Sequence, residues 1–216
     1  MYPKVKYQLI SYLCNMNPQE TSNILLSENI IIADADYIDR VAFNLTVNFE
    51  RMLNRRIRPA DLSQWAVCVA LDGGLRQGDN HTQVALVHDK ASTRMENFRP
   101  ADYAGELNAK AFRDARLGEF TVNAYAVEEL VSKEEMMLDM LQTVLGHAEV
   151  KRVMVIPNAE EGESYDLIRA ALRDVSDEKR VTLFAMQPMP GGNFRQEILG
   201  YSLLNALGIS AGEINQ

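Results

Sequence analysis

The chain is poor in the residues that build covalent or metal frameworks. Its two cysteines, Cys14 and Cys68, lie far apart in apolar surroundings. That excludes a disulfide scaffold and predicts reduced, buried thiols. The three histidines, His81, His88 and His147, are scattered, and no pair has zinc-ligand spacing. No apolar run approaches the roughly 20 residues that span a bilayer. The N-terminus opens Met1-Tyr2-Pro3-Lys4-Val5-Lys6 and runs into mixed polar sequence rather than the apolar core of a signal peptide. The expectation is a cytoplasmic protein with no membrane partner. Positive charge is also short: the net charge of -8 argues against indiscriminate phosphate binding. The Walker and dinucleotide glycine patterns are both absent. Gly200-Tyr201-Ser202-Leu203 falls within a helical pattern, not at the strand-to-helix elbow of a serine hydrolase.

What is present is a folded α/β composition. The 216 residues are 47% hydrophobic, ordinary for a globular protein. With no linker or low-complexity segment, the chain reads as one α/β domain over residues 1–216. Its core is 28–208, and residues 1–27 form an N-terminal extension or extra element. Five strands are predicted: 29–34, 83–88, 120–127, 152–156 and 181–186. The first and fourth are continuous apolar runs, as for strands covered on both faces. The third alternates, as for a half-exposed edge.

Helices alternate with these strands. Ile38, Val41, Ala42, Leu45 and Phe49 mark one helical face. Pro59 and Asp61 open a second helix that stops at Gly73-Gly74. Arg99-Pro100-Ala101-Asp102 repeats Arg58-Pro59-Ala60-Asp61 and predicts another helix start. Ser132 with Glu135 forms a capping box. Further helices follow strands four and five, the last ending at Gly208. The alternation predicts a three-layer α/β/α fold with a mainly parallel five-stranded sheet in the order 3-2-1-4-5.

In such a sheet ligands lie beyond the carboxyl ends of the strands, where the winding reverses. The first strand ends in Asp34-Ala35-Asp36, the second in His88-Asp89, and the fourth in Pro157-Asn158-Ala159-Glu160-Glu161. Carboxylates converging there repel one another unless a cation intervenes, and magnesium is held by one or two carboxylates plus water. The plainer reading is structural. Asp36 suits a helix N-cap, Asp39 a first helical turn, and the glutamates a solvated loop or the next helix start.

The layout resembles the PIN-like nucleases, in particular their NYN branch, with Asp34 matching the family's first-strand aspartate. The resemblance implies a Rossmann-like fold and a metal-dependent phosphodiesterase or ribonuclease acting on RNA. Asp34 and Asp36 would be catalytic. Asp34, Asp36, Glu160 and Glu161 would hold Mg2+ or Mn2+. The chain departs from that family after strand four, where Pro157-Asn158-Ala159-Glu160-Glu161 replaces the usual aspartate-bearing segment. Either a glutamate substitutes or the site is an inactive descendant. Ala70-Leu71-Asp72-Gly73-Gly74-Leu75, Gly118-Glu119-Phe120 and the run from Val150 to Pro157 also resemble a bacterial family of uncharacterised proteins.

Two alternatives stand beside the nuclease reading. One is a non-catalytic module that binds a protein partner or a second copy of itself through a methionine-rich or N-terminal surface. The other uses Gly191-Gly192-Asn193 and Arg195 as an anion site at a helix N-terminus, against the plain reading of a turn N-capped by Asn193. The basic group Arg51, Arg55, Arg56 and Arg58 lies near the end of the first helix, where cations are favoured. That end is about 25–30 Å from the helix start at 1.5 Å per residue.

Overall fold

A computed structural model of the chain describes residues 26–128 and 130–214. Nearly all of the expected N-terminal extension, Cys14 included, lies outside the described residues.

The sheet forms around β1 (Asn29–Asp34), every residue of which is buried. Ile31 and Ala33 face one hydrophobic layer, while Ile30 and Ile32 face the other. Side chains alternate across a strand, so a continuous apolar run supplies both faces at once. β1 pairs in parallel with β3 (Asn80–His88) on one side and β7 (Arg152–Ile156) on the other. Beyond β3 lies β6 (Gly118–Ala126), and beyond β7 lies β8 (Arg180–Ala185), both parallel to their neighbours.

The sheet has seven strands, not five. Its order is β5-β6-β3-β1-β7-β8-β9. β5 (Lys110–Asp114) runs antiparallel to β6, and β9 (Arg195–Ile198) runs parallel to β8. The alternating strand β6 is therefore an inner strand, which corrects its expected place at the edge. Both added strands are short and polar, the composition with which proteins blunt sheet edges, and it hides them from a search for apolar periodicity.

One face of the sheet carries α1 (Ala35–Leu53), α2 (Leu62–Asp72) and α5 (Leu199–Ala206), which bury Ile38, Trp65 and Leu203 among others. The opposite face carries α3 (Lys133–Gly146) and α4 (Ser164–Ala171). Met136, Met137 and Met140 of α3 are almost fully buried, as core-filling side chains on one helix face are, so they offer no methionine-rich docking surface.

The two Arg-Pro-Ala-Asp segments do similar work. Asp61 and Asp102 each accept a hydrogen bond from the backbone N–H three residues on, that of Gln64 and of Gly105. Their flanks, β2 (Ala60–Asp61) and β4 (Phe98–Arg99), pair in parallel as a small second sheet. Asp61 opens α2 as expected. Asp102 opens only a five-residue π-helical turn, Tyr103–Leu107. A four-residue helix, α6 (Ala211–Ile214), follows the Gly208 stop. No helix among the described residues is long and apolar enough to cross a membrane.

Candidate functional site: a lysine among three carboxylates

Asp34 closes β1 and N-caps α1, accepting from the Tyr37 N–H at 2.9 Å. This corrects the expected cap, Asp36. Freed of that role, Asp36 points across the rim to the segment after β3. Its Oδ2 accepts from the Asp89 N–H at 2.7 Å, and its Oδ1 from the Ser92 hydroxyl at 2.6 Å. Parallel pairing of Asp34 with Val87 is what brings Asp89 to this rim.

From the other layer comes Lys133, the first residue of α3. Its Nζ lies 3.2 Å from Asp34 Oδ1, 2.6 Å from Asp36 Oδ2 and 3.2 Å from Asp89 Oδ1. The lysine side chain is 15% exposed and that of Asp34 7%. Sequence reasoning missed Lys133, although one signal marks it. A cation in the first turn of a helix opposes the helix dipole, so a lysine following the Ser132 cap implies a carboxylate partner elsewhere.

The charges are mutually adjusted. Burial pushes Lys133 toward losing its proton, but Asp34, Asp36 and Asp89 outweigh it and hold the ammonium pKa above the usual lysine value. Burial also pushes Asp36 upward. The hydrogen bonds from Lys133, Ser92 and the Asp89 N–H outweigh that and hold its carboxyl below the usual range. For Asp34 burial wins, and its pKa is raised despite Lys133 and the Tyr37 N–H. Lys133 is thus a firmly protonated counter-ion, unsuited to act as a base or an amine nucleophile.

Two buried tyrosines stand near these carboxylates. The Tyr37 hydroxyl faces Glu160, and the Tyr103 hydroxyl has no hydrogen-bond partner among the described residues. Both pKa values are raised, first by burial; Glu160 adds to the effect on Tyr37, and Asp36 and Asp39 to that on Tyr103. The Tyr103 ring stacks on His88 with centroids 3.8 Å apart. Beside the rim lies a cleft of about 450 Å³, lined in part by Asp36, Asp39, Arg40, Phe43 and Asn97. Phe43 is 53% exposed there.

The other expected site residues go elsewhere. Glu161 pairs with Arg40 at 2.7 Å, and Asn158 also accepts from that guanidinium. Glu160 lies by Tyr37. Asp39 accepts from the N–H groups of Glu96 and Asn97 and from the Asn97 side chain, which ties down the loop before β4. Among the described residues no group of three or more His, Cys, Asp or Glu side chains is arranged to hold a metal ion. The space a divalent cation would need between Asp34 and Asp36 is taken by an ammonium group. These residues do not fit a resident Mg2+ or Mn2+.

The glycine loop is likewise not a helix N-terminus. Asn193 is followed by β9, and its side chain donates to the Val175 carbonyl. In the basic group near the end of α1, Arg55 pairs with Glu213 and Arg56 with Glu50.

The family of unknown function DUF6621 matches residues 23–214, which includes every strand, helix and rim residue described above. The chain belongs to this family. No curated protein and no solved structure matches it.

Proposed function

We propose that this chain is a metal-independent binding module of α/β fold, in which Lys133 takes the place that a divalent cation would hold in a PIN/NYN-like nuclease. The observation that carries the reading is the Lys133 ammonium within 3.2 Å of three carboxylates. With an ammonium holding the position between the carboxylates, the site has no metal ion to polarise a phosphodiester and no open coordination position at which to activate water. What the rim offers is a rigid surface. Asp34, Asp36, Asp39 and Lys133 are fixed by hydrogen bonds, with Phe43 and the 450 Å³ cleft beside them. An exposed aromatic side chain next to a pre-ordered polar cleft suits a protein partner or a second copy of the chain.

The nuclease remains as a second reading because Asp34, Asp36 and Asp89 do converge on one rim. One experiment separates the two. Thermal unfolding and single-stranded RNA cleavage would be followed with and without manganese for the wild type, Asp34→Asn and Lys133→Ala. The binding module predicts no manganese shift and no cleavage in the wild type. It also predicts a manganese-induced stabilisation in Lys133→Ala, where the carboxylates lose their resident cation. Manganese-dependent cleavage by the wild type that Asp34→Asn abolishes would reject the module and establish the nuclease.

A further inference from the structure

The opposite rim of the sheet carries a concentration of one charge. Arg152, Arg180 and Arg195 are the first residues of β7, β8 and β9. Arg152 pairs with Arg180, and Arg195 lies level with Thr182, two residues along β8. Register partners share a face, as do residues two apart. All three guanidinium groups therefore project on the α2 side of the sheet. Arg76, just past the end of α2, completes the group. With Gly73, Gly74 and Leu75 these four arginines line a second cleft of about 450 Å³.

The glycines make the room. A side chain at Gly73 would collide with Met154, and Gly74 has φ +80 with the Arg195 and Arg152 guanidinium nitrogens close against it. Compensation inside the protein is thin. Arg152 Nη1 donates to the Gly73 carbonyl at 3.1 Å, while its Nε is buried without a partner. Arg195 pairs with Glu197. Asp72 is the other carboxyl nearby, and burial, followed by Glu197, pushes its pKa upward. Arg76 and Arg180 make no ion pair among the described residues. Burial and then the charges of Arg180, Arg195 and Arg76 depress Arg152. The carbonyl end of α2 supplies only about half a negative charge.

We infer that this cleft binds a diphosphate-bearing small molecule, with Arg152, Arg180, Arg195 and Arg76 holding its oxygens. Guanidinium forks match phosphate geometry and donate in pairs. A cleft of this volume admits a pyrophosphate group with a substituent attached. The site is independent of the Lys133 rim, and its test does not rest on the function proposed above.

The test is isothermal titration calorimetry with inorganic pyrophosphate and, separately, ADP. Both are run at about 50 and about 200 mM salt, because charge-driven binding must weaken as screening rises. The wild type should bind at least one of them with a Kd below about 1 mM. Whether ADP or pyrophosphate binds more tightly tells whether a nucleoside or the diphosphate alone is recognised. Arg180→Gln, at an exposed position, should weaken binding about tenfold, a loss of about 1.4 kcal/mol. Arg40→Gln removes the same charge on the other rim and should leave the affinity within about twofold. Absence of binding in the wild type at low salt would overturn the inference, and so would equal losses in Arg180→Gln and Arg40→Gln. Capture of single-stranded RNA with no response to either small anion would also overturn it.

Discussion

Lys133 shows how one side chain decides between two chemistries. Three carboxylates on one rim invite a divalent cation; an ammonium already seated among them removes the vacancy. Its removal should be costly, because taking one partner from a largely buried ion pair leaves uncompensated charge behind. Lys133→Met should lose about 3 kcal/mol at neutral pH, read by urea unfolding. The pH dependence has a definite sign. Asp36 has a lowered pKa in the folded state, so its stabilisation is complete above the unfolded value and fades as pH falls through the lower folded one. Lys133 has a raised folded pKa, so its share is complete below the unfolded value and fades as pH climbs through the higher one. The pair is therefore fully effective from about pH 5 to about pH 9. In Lys133→Met the carboxylates keep their burial but lose the cation, and their folded pKa values rise. Acidification then stabilises the variant relative to the wild type. The deficit should shrink between about pH 7 and about pH 4; a deficit that stays constant or grows over that range would show that packing, not charge, accounts for the loss.

At the scale of elements, the start of α3 both begins a helix and delivers the lysine. The Glu135 N–H donates to Ser132 Oγ, and the Ser132 N–H donates to the Glu135 carboxylate. Ser132→Ala should cost about 1 kcal/mol for the cap. It should also loosen Lys133, which an NMR titration would register as a rise in the Asp36 pKa. Loss of stability with an unmoved Asp36 would separate the cap from the site. The capping box was legible in the sequence because it is a local pattern of two residues. The inner strands were legible for a similar reason: apolar runs such as Ile30-Ile31-Ile32 declare burial on both faces. β5 and β9 were not, since an edge strand is stabilised by backbone pairing and carries polar side chains. Asp89 was legible as a residue of the same rim, because it ends the neighbouring strand. Ser92 and Lys133 were invisible, since they reach Asp36 only through the loop after β3 and the crossing of α3 from the far layer. Arg195 was singled out as a residue able to meet an anion, but at a helix N-terminus that does not exist there. Its actual setting is a strand edge beside two other arginines.

Across the whole molecule the parallel sheet separates charge. The carboxylates and Lys133 sit beyond the carboxyl ends of the strands, and the four arginines sit at the amino ends. β7 alone, five residues from Arg152 to Ile156, sets the rims about 15 Å apart at about 3.3 Å per residue. The strand between the rims is mostly apolar, with Val153, Met154, Val155 and Ile156 fully buried, and charges on the two rims that face solvent are further apart than the Debye length of about 8 Å at physiological ionic strength. Perturbations at the two ends should therefore be independent. Lys133→Met and Arg180→Gln, measured singly and together by urea unfolding, should give changes that add within about 0.5 kcal/mol. The single Arg180→Gln change should itself lie within about 0.5 kcal/mol of the wild type, because an exposed arginine facing three others gives up little favourable interaction when its charge is removed. Pyrophosphate affinity in Lys133→Met should match the wild type once the fraction folded is accounted for. A coupling energy above about 1 kcal/mol would mean that the sheet transmits a rearrangement from one rim to the other. The two rims would then have to be treated as one ligand-responsive device rather than two separate surfaces.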